Sequence, residues 1–281
     1  MQREKHTQRR RSERWKARQR HSGWFLTAYL LICAMVVVFA WKILQYRVGL
    51  KDASRYSVEL LSSAVTTRKD SEAGERGSWF SQTEKIGDLQ GALLEAPDTI
   101  DFAPLLEINP DVSGWLILPG TGLSEVVAKS RDNEEYLHQL IDGTQNASGT
   151  LFLDCRNDSG FTDSVSVIYG HHMKDGSKFG SLMSFRDPAY MEEHREFLLY
   201  TPEGLEKLRV IACFTARAGD DIFLLPKDEE GMQQFLSETL AHAAFDPEFT
   251  MEAEDRYVVL STCAYDYEDE RFLVVTRIET D

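Results

Sequence analysis

A series of short segments rich in β-branched and aromatic residues follows residue 101, and this series most restricts the fold. The predicted strands are Glu125–Ala128, Thr150–Asp154, Val165–Tyr169, Glu196–Thr201, Leu208–Thr215 and Ile222–Leu225. A further strand is predicted in the run GWLIL, before the turn signal Pro119-Gly120. Many short strands separated by turns are typical of a closed sheet. The sequence therefore predicts a mainly β fold, a barrel of about eight strands.

Two more strands are predicted near the C-terminus, Tyr257–Leu260 and Phe272–Thr276, with an acidic loop between them. Cys263 comes just after the first strand and Arg271 just before the second. In an antiparallel hairpin these residues would face each other with Cβ atoms about 5 Å apart. A nearby cation raises the thiolate fraction of a cysteine, which makes Cys263 a candidate nucleophile. A cysteine near a strand end can equally be a small buried hydrophobe, so both interpretations stay open at this point.

Arg271 is the arginine that we expect to act with Cys263. Its guanidinium stays protonated and can hold a developing oxyanion. Arg277 would share its strand face, but six residues of strand separate the two by about 20 Å. Only Arg271 can therefore reach the loop rim where Cys263 lies.

A partner histidine is predicted at the end of another strand. His171 and His172 directly follow a predicted strand, at a strand-to-loop exit of the kind where catalytic residues collect. His138 and His242 are predicted to lie in helices as ordinary surface or groove residues. The adjacent histidines diverge and lack a third ligand, and the acidic loop 266–270 lacks the glycine of a calcium loop. We therefore predict no metal site.

An uncharged stretch near the N-terminus predicts a membrane anchor. No Asp, Glu, Lys or Arg lies between Arg20 and Lys42, and residues 23–41 are mostly apolar. As a helix, this run would span close to the ~30 Å hydrocarbon core. A cleaved secretory signal is the alternative, but its apolar region would be shorter and would precede a small-residue cleavage site.

Charge predicts the orientation of the anchor. Residues 1–23 contain nine Lys or Arg and two Asp or Glu, a net charge of +7, whereas the whole chain carries −15 and the remainder therefore −22. A basic tail stays in the cytoplasm, so the acidic remainder is expected outside the cell, and its acidity argues against nucleic acid as a partner. The predicted domains are a basic cytoplasmic tail (1–22), a single transmembrane anchor (23–44), a juxtamembrane helical and linker region (45–100) and a catalytic domain (101–281).

Amphipathic spacing predicts further helices within these domains. One juxtamembrane helix is expected over 52–67 and a weaker one over 81–95. A third, amphipathic helix is expected over 228–245, inserted before the strand that leads to Cys263.

From residue 101 to residue 279 the chain resembles a sortase, most closely class B. The segments that carry the resemblance are INPDVSGWLILPGTG, DNEEYLHQLIDG, GTLFLDCRND, VIYGHHMKDGSKFG and LSTCAYDYEDER. The order of histidine, cysteine and arginine and the helix inserted before the cysteine strand are also those of the family.

The resemblance implies a membrane-anchored cysteine transpeptidase of a Gram-positive bacterium, without a cofactor. Such an enzyme cleaves a C-terminal sorting signal of a secreted protein, of the Asn-Pro-x-Thr kind, and joins the new carboxyl end to an amine of the cell wall or a pilin. The resemblance assigns Cys263 as nucleophile, His171 as acid and base, and Arg271 as oxyanion and substrate-orienting residue. Tyr169, Ser261 and Thr262 are expected to contact the substrate peptide. A catalytically silent peptide-binding module and a hydrolytic cysteine peptidase are the alternatives.

Overall fold

The structure is a computed structural model of the chain, and it describes most of the region after residue 96. The described residues are 28–45, 48–49, 53, 55–65, 96–217, 225–242, 251–263 and 270–279, with Cys263 and His242 described by their backbone. Several predictions fall outside these residues: the tail at 1–22, the helix at 81–95, the strand at 222–225 except Leu225, and the loop at 266–270 except Glu270.

The chain divides into two compact units, Met1–Gly49 and Leu50–Asp281. The first unit contains helix α1 (Ala28–Gln45), which is long and apolar enough to cross a membrane. Its large apolar side chains are exposed, Met35 and Phe39 among them. A helix of this kind lies where the apolar run predicts one.

The second unit contains eight described strands and several short helices. The strands are β1 (Val112–Ile117), β2 (Ser124–Ala128), β3 (Leu151–Leu153), β4 (Val165–His171), β5 (Glu196–Thr201), β6 (Gly204–Arg217), β7 (Tyr257–Cys263) and β8 (Glu270–Ile278). The α-helices are α2 (55–64), α3 (Ala103–Ile108), α4 (Pro188–Glu193) and α5 (Glu229–His242), and the 3₁₀ helices are η1 (Glu135–Leu137) and η2 (Phe179–Arg186).

The described strands close into a barrel in the order β1-β2-β3-β4-β7-β8-β6-β5. The pairs β2–β3 and β4–β7 are parallel, and the other neighbours are antiparallel. The predicted closed barrel, the β7–β8 hairpin and the helix before β7 are all confirmed. The two parallel pairs and the segment made of η2 and α4 were not predicted.

Apolar side chains cover both faces of the sheet, because successive residues of a strand point to opposite faces. One buried cluster contains Trp115 and Ile117 of β1 together with residues of α2, α3 and α5. The other contains Leu116 of β1 and Phe179 of η2. This double burial explains why the strands read as nearly continuous apolar runs rather than alternating ones.

The segment after β4 folds tightly onto itself, and we expect Gly180 to be essential for this. A Cβ at Gly180 would overlap the backbone carbonyl of Met173, a group that cannot rotate away. Gly180→Ala should therefore lower the free energy of unfolding by about 1–3 kcal/mol in denaturant titration, the usual cost of overpacking. Gly122→Ala is the matched control, because nothing lies within 4 Å of its Cβ position. Equal stability of the two variants would contradict this packing.

Candidate active site

The parallel pairing of β4 with β7 brings His171 and Cys263 together. The register runs without a shift from Val165 opposite Tyr257 to His171 opposite Cys263, the last residue of each strand. Neighbouring strands lie about 4.8 Å apart, and paired residues project from the same face of the sheet. The backbones of His171 and Cys263, 92 positions apart in the chain, are therefore adjacent at one end of the barrel.

Arg271 lies on β8, the next strand after β7 in the barrel. Its guanidinium carbon is 5.5 Å from the centroid of the Tyr169 ring, and Tyr169 precedes His171 by two residues on the same face. The β7–β8 pairing ends at Ser261 opposite Leu273, two residues before Cys263 and two residues after Arg271. Arg277 instead pairs with Tyr257, at the far end of β7. The two arginines thus lie near opposite ends of β8.

The His171 ring is held in one orientation. The residue is 9% exposed, and its Nε2 lies 2.7 Å from the backbone carbonyl oxygen of Leu137. A carbonyl only accepts hydrogen bonds, so Nε2 must carry a proton and donate it. The neutral ring then has its lone pair on Nδ1, which is the nitrogen able to take up a proton.

Burial lowers the pKa of His171 below its ordinary value of 6.5, and the nearby His138 and Lys178 act in the same direction against the hydrogen bond to Leu137. The ring is therefore neutral at rest near pH 7. His138 was predicted to lie in a helix as an ordinary surface or groove residue; it is exposed, but it lies just outside a helix. It follows η1 as its C-terminal cap and stacks on His171, with 5.6 Å between ring centroids.

A buried carboxylate supports the Tyr169 ring under Arg271. The Tyr169 hydroxyl donates to Asp154 Oδ2 over 3.0 Å, and Asp154 is fully buried. Burial alone would raise the pKa of Asp154, but the hydrogen bonds and charge of Arg156 outweigh burial and lower it. Asn133 donates to the same carboxylate over 3.1 Å. Ionised Asp154 thus fixes Tyr169, and the Tyr169 ring faces the guanidinium, a favourable cation–π arrangement.

The three residues predicted to contact substrate differ in their surroundings. Tyr169 is only 6% exposed; its hydroxyl donates to Asp154 and its ring faces the guanidinium of Arg271. Ser261 is fully buried on the Cys263 face, and its hydroxyl has no hydrogen-bond partner among the described residues. Thr262 alternates to the other face, and its hydroxyl accepts the Phe272 N–H over 2.9 Å. This geometry favours a structural role for Thr262 and sets Ser261 beside Tyr169, its partner in the β4–β7 pair.

Sequence reasoning missed Asp154, His138 and Lys178 as neighbours of the site. Asp154 carried a usable signal, because an acidic residue directly after a buried strand requires a partner. The other two are brought in by loops of irregular geometry, which have no periodic pattern. No group of three histidine, cysteine, aspartate or glutamate side chains suited to a metal ion occurs in the described part of the chain.

Comparison with known proteins agrees with this arrangement. No family model matches the chain. Sortase B of Staphylococcus aureus is 28% identical over 180 residues, which cover 63% of this chain and 74% of that protein. The solved Staphylococcus aureus sortase B–substrate complex superimposes with a TM-score of 0.60 at 28% identity, over 64% of this chain and 84% of that one.

A third relative is a Streptococcus pyogenes class B sortase involved in pilus biogenesis. Its crystal structure is 34% identical to this chain, with a TM-score of 0.58, and the match covers 63% of this chain and 97% of that one. The likeness thus extends over nearly the whole of that protein, including the barrel and the strands that carry the candidate site. The chain belongs to the class B sortases and is therefore a cysteine transpeptidase.

Proposed function

We propose that Cys263, His171 and Arg271 are the catalytic residues of this transpeptidase. The observation that carries the proposal is the direct pairing of His171 with Cys263 at the ends of two parallel strands. It sets a base beside a thiol, the arrangement that nucleophilic catalysis requires. The guanidinium of Arg271 over Tyr169 adds a fixed positive charge on the same face.

The reaction has two acyl-transfer steps. The Cys263 thiol gives its proton to neutral His171, and the resulting thiolate attacks the scissile carbonyl. Arg271 holds the oxyanion that forms on the carbonyl oxygen. Protonated His171 gives its proton to the leaving amine as the C–N bond breaks, which leaves a thioester on Cys263. An incoming amine then loses a proton to His171 and attacks the thioester, and the thiolate leaves as the new amide forms. The buried, hydrogen-bonded ring of His171 suits this return of the proton to one nitrogen.

The substrates and the cellular location are part of the same proposal. The donor is a secreted protein with a C-terminal sorting signal of the Asn-Pro-x-Thr kind, and the acceptor is an amine of the cell wall or of a pilin. The enzyme is anchored by one transmembrane helix, with a cytoplasmic N-terminus and an extracellular catalytic domain. Apolar α1, the +7 charge of residues 1–23 and the acidic remainder support this topology.

Peptide transfer by the full chain in detergent micelles tests the proposal. We would incubate the protein with a library of proline-threonine sorting peptides and triglycine and follow masses of protein and peptides. A cleaved peptide joined to triglycine, through an acyl adduct that Cys263→Ala abolishes, is the expected result. Cleaved peptide without any joined product would favour a hydrolytic peptidase, and an equally active Cys263→Ala variant would refute the assignment of the nucleophile.

The two arginines of β8 provide a matched pair for the same assay. Arg271→Ala should slow acylation by about 10²–10³-fold, the usual effect of removing one oxyanion donor. Arg277→Ala removes the same charge at the far end of the strand, where it contacts Asp255 over 3.5 Å. It should leave acylation near the wild-type rate. Comparable losses in both variants would remove the oxyanion role from Arg271.

The lowered pKa of His171 predicts how stability depends on pH. In the folded state the pKa of His171 lies below 6.5, whereas in the unfolded state the ring protonates near pH 6.5. Between these two pKa values the unfolded state therefore binds more protons than the folded state. This contribution to stability is therefore complete above pH 6.5 and is lost as the pH falls toward the folded pKa. Urea titrations from about pH 7.5 to pH 5 should show wild type losing stability relative to His171→Gln. A constant difference between the two proteins would contradict a buried neutral ring.

A further inference from the structure

A buried ion pair lies next to the site and takes no part in the reaction described above. Lys178 Nζ is 2.7 Å from Glu125 Oε2, and the two side chains are 3% and 8% exposed. The desolvation of two charges can outweigh their attraction, and apolar replacements of such pairs are often as stable. Stability alone is therefore a weak reason for a lysine and a glutamate at these positions.

The ion pair joins three elements of the second unit. Glu125 belongs to β2, and Lys178 ends the loop that begins after His171. The same carboxylate oxygen accepts the hydroxyl of Ser57 over 2.8 Å, and Ser57 belongs to α2. Because Glu125 is held by both the barrel and α2, it is a fixed anchor for the lysine.

The backbone at Lys178 shows that its position is imposed by these contacts. Its φ is 51° and its ψ is −131°, and a positive φ of this kind favours glycine. A side chain held there persists only when its surroundings over-determine the conformation, and such residues concentrate at functional sites. The buried ion pair provides that restraint.

The restrained lysine closes the loop directly after the catalytic histidine. His172 and Lys178 form an isolated β-bridge, and the Met173 N–H donates to the carbonyl oxygen of His171 over 3.1 Å. His172, the first residue after His171, is therefore held in place by its β-bridge with Lys178. A displacement of about 1 Å in a catalytic group can cost a hundredfold in rate, so this restraint bears on catalysis.

We propose that Lys178 is a positioning residue for His171: its ion pair with Glu125 holds the 172–178 loop closed and so fixes the imidazole beside Cys263. The lysine itself contacts no substrate. This inference rests on the proposed catalytic role of His171. The loop of residues 172–178, closed by this bridge, is called the histidine loop below.

The test replaces the whole ion pair, because removing one partner would leave a buried charge. Glu125→Leu combined with Lys178→Met keeps the volume and leaves no unpaired charge. With a sorting peptide and triglycine, we expect kcat to fall at least about tenfold with KM unchanged, at a temperature well below the melting transition. A kcat within twofold of wild type would overturn the proposal. Lys174→Met is the matched control, since Lys174 is exposed in the same loop.

A second readout needs no sorting peptide and separates this inference from the proposed function. The rate at which iodoacetamide alkylates Cys263, located by peptide mass mapping, reports the ionisation of the Cys263 and His171 pair. The groups around His171 are His138, Lys178, Cys263 by register, and Arg271 across Tyr169. The double variant should have a shifted rate–pH profile, and Lys174→Met should superimpose on wild type.

The two readouts have distinct outcomes. If wild type transfers no peptide but the double variant shifts the alkylation profile, the proposed function fails and the positioning role stands. A double-variant profile that superimposes on wild type overturns the positioning role. If the double variant does not fold, Lys178→Gly replaces it, because its backbone suits glycine and the lost side chain admits water to Glu125. The same readouts then decide.

Discussion

The parallel pairing of β4 with β7 is the constraint on which the rest of the structure depends. Parallel neighbours cannot be joined by a tight turn, so a long connection must run from His171 to Tyr257. That excursion supplies β5, β6 and α5, and β8 then follows β7 as a simple hairpin. Both strands of the pair end at the same end of the barrel, and this brings His171 and Cys263 next to each other.

Two buried carboxylates, those of Asp154 and Glu125, stabilise the residues around the site. Asp154 is ionised and fully buried, and it holds the Tyr169 ring on which the guanidinium of Arg271 rests. Glu125 likewise meets Lys178 at the end of the histidine loop. A buried carboxylate must be paired, so each imposes a position on its partner. The catalytic groups are thus held by rigid strands and by buried charges whose separation from their partners would cost free energy.

Local patterns in the sequence predicted much of this fold. Apolar spacing identified α5, β-branched runs identified most strands, and the hairpin placed Cys263 near Arg271. A strand-exit position singled out His171 and His172, and the family resemblance then assigned His171, because a parallel register between segments 92 positions apart has no local signal. The stacking of His138 on His171 had no local signal either, because it depends on the path of an irregular loop. The expected substrate contacts of Ser261 and Thr262 came from the resemblance, and strand alternation sets these two neighbours on opposite faces of the sheet.

The most direct test of this account is a chemical bridge between the two native side chains. A three-carbon bifunctional alkylator such as 1,3-dichloroacetone can join a thiolate to an imidazole only when they lie within a few ångströms of each other. Treatment of the full-length wild-type protein, followed by proteolysis and mass mapping, should yield one linked pair of peptides, with Cys263 bonded to His171. A bridge from Cys263 to His172 instead, or the same bridge formed equally in denaturant, would contradict the parallel register at the centre of the structure.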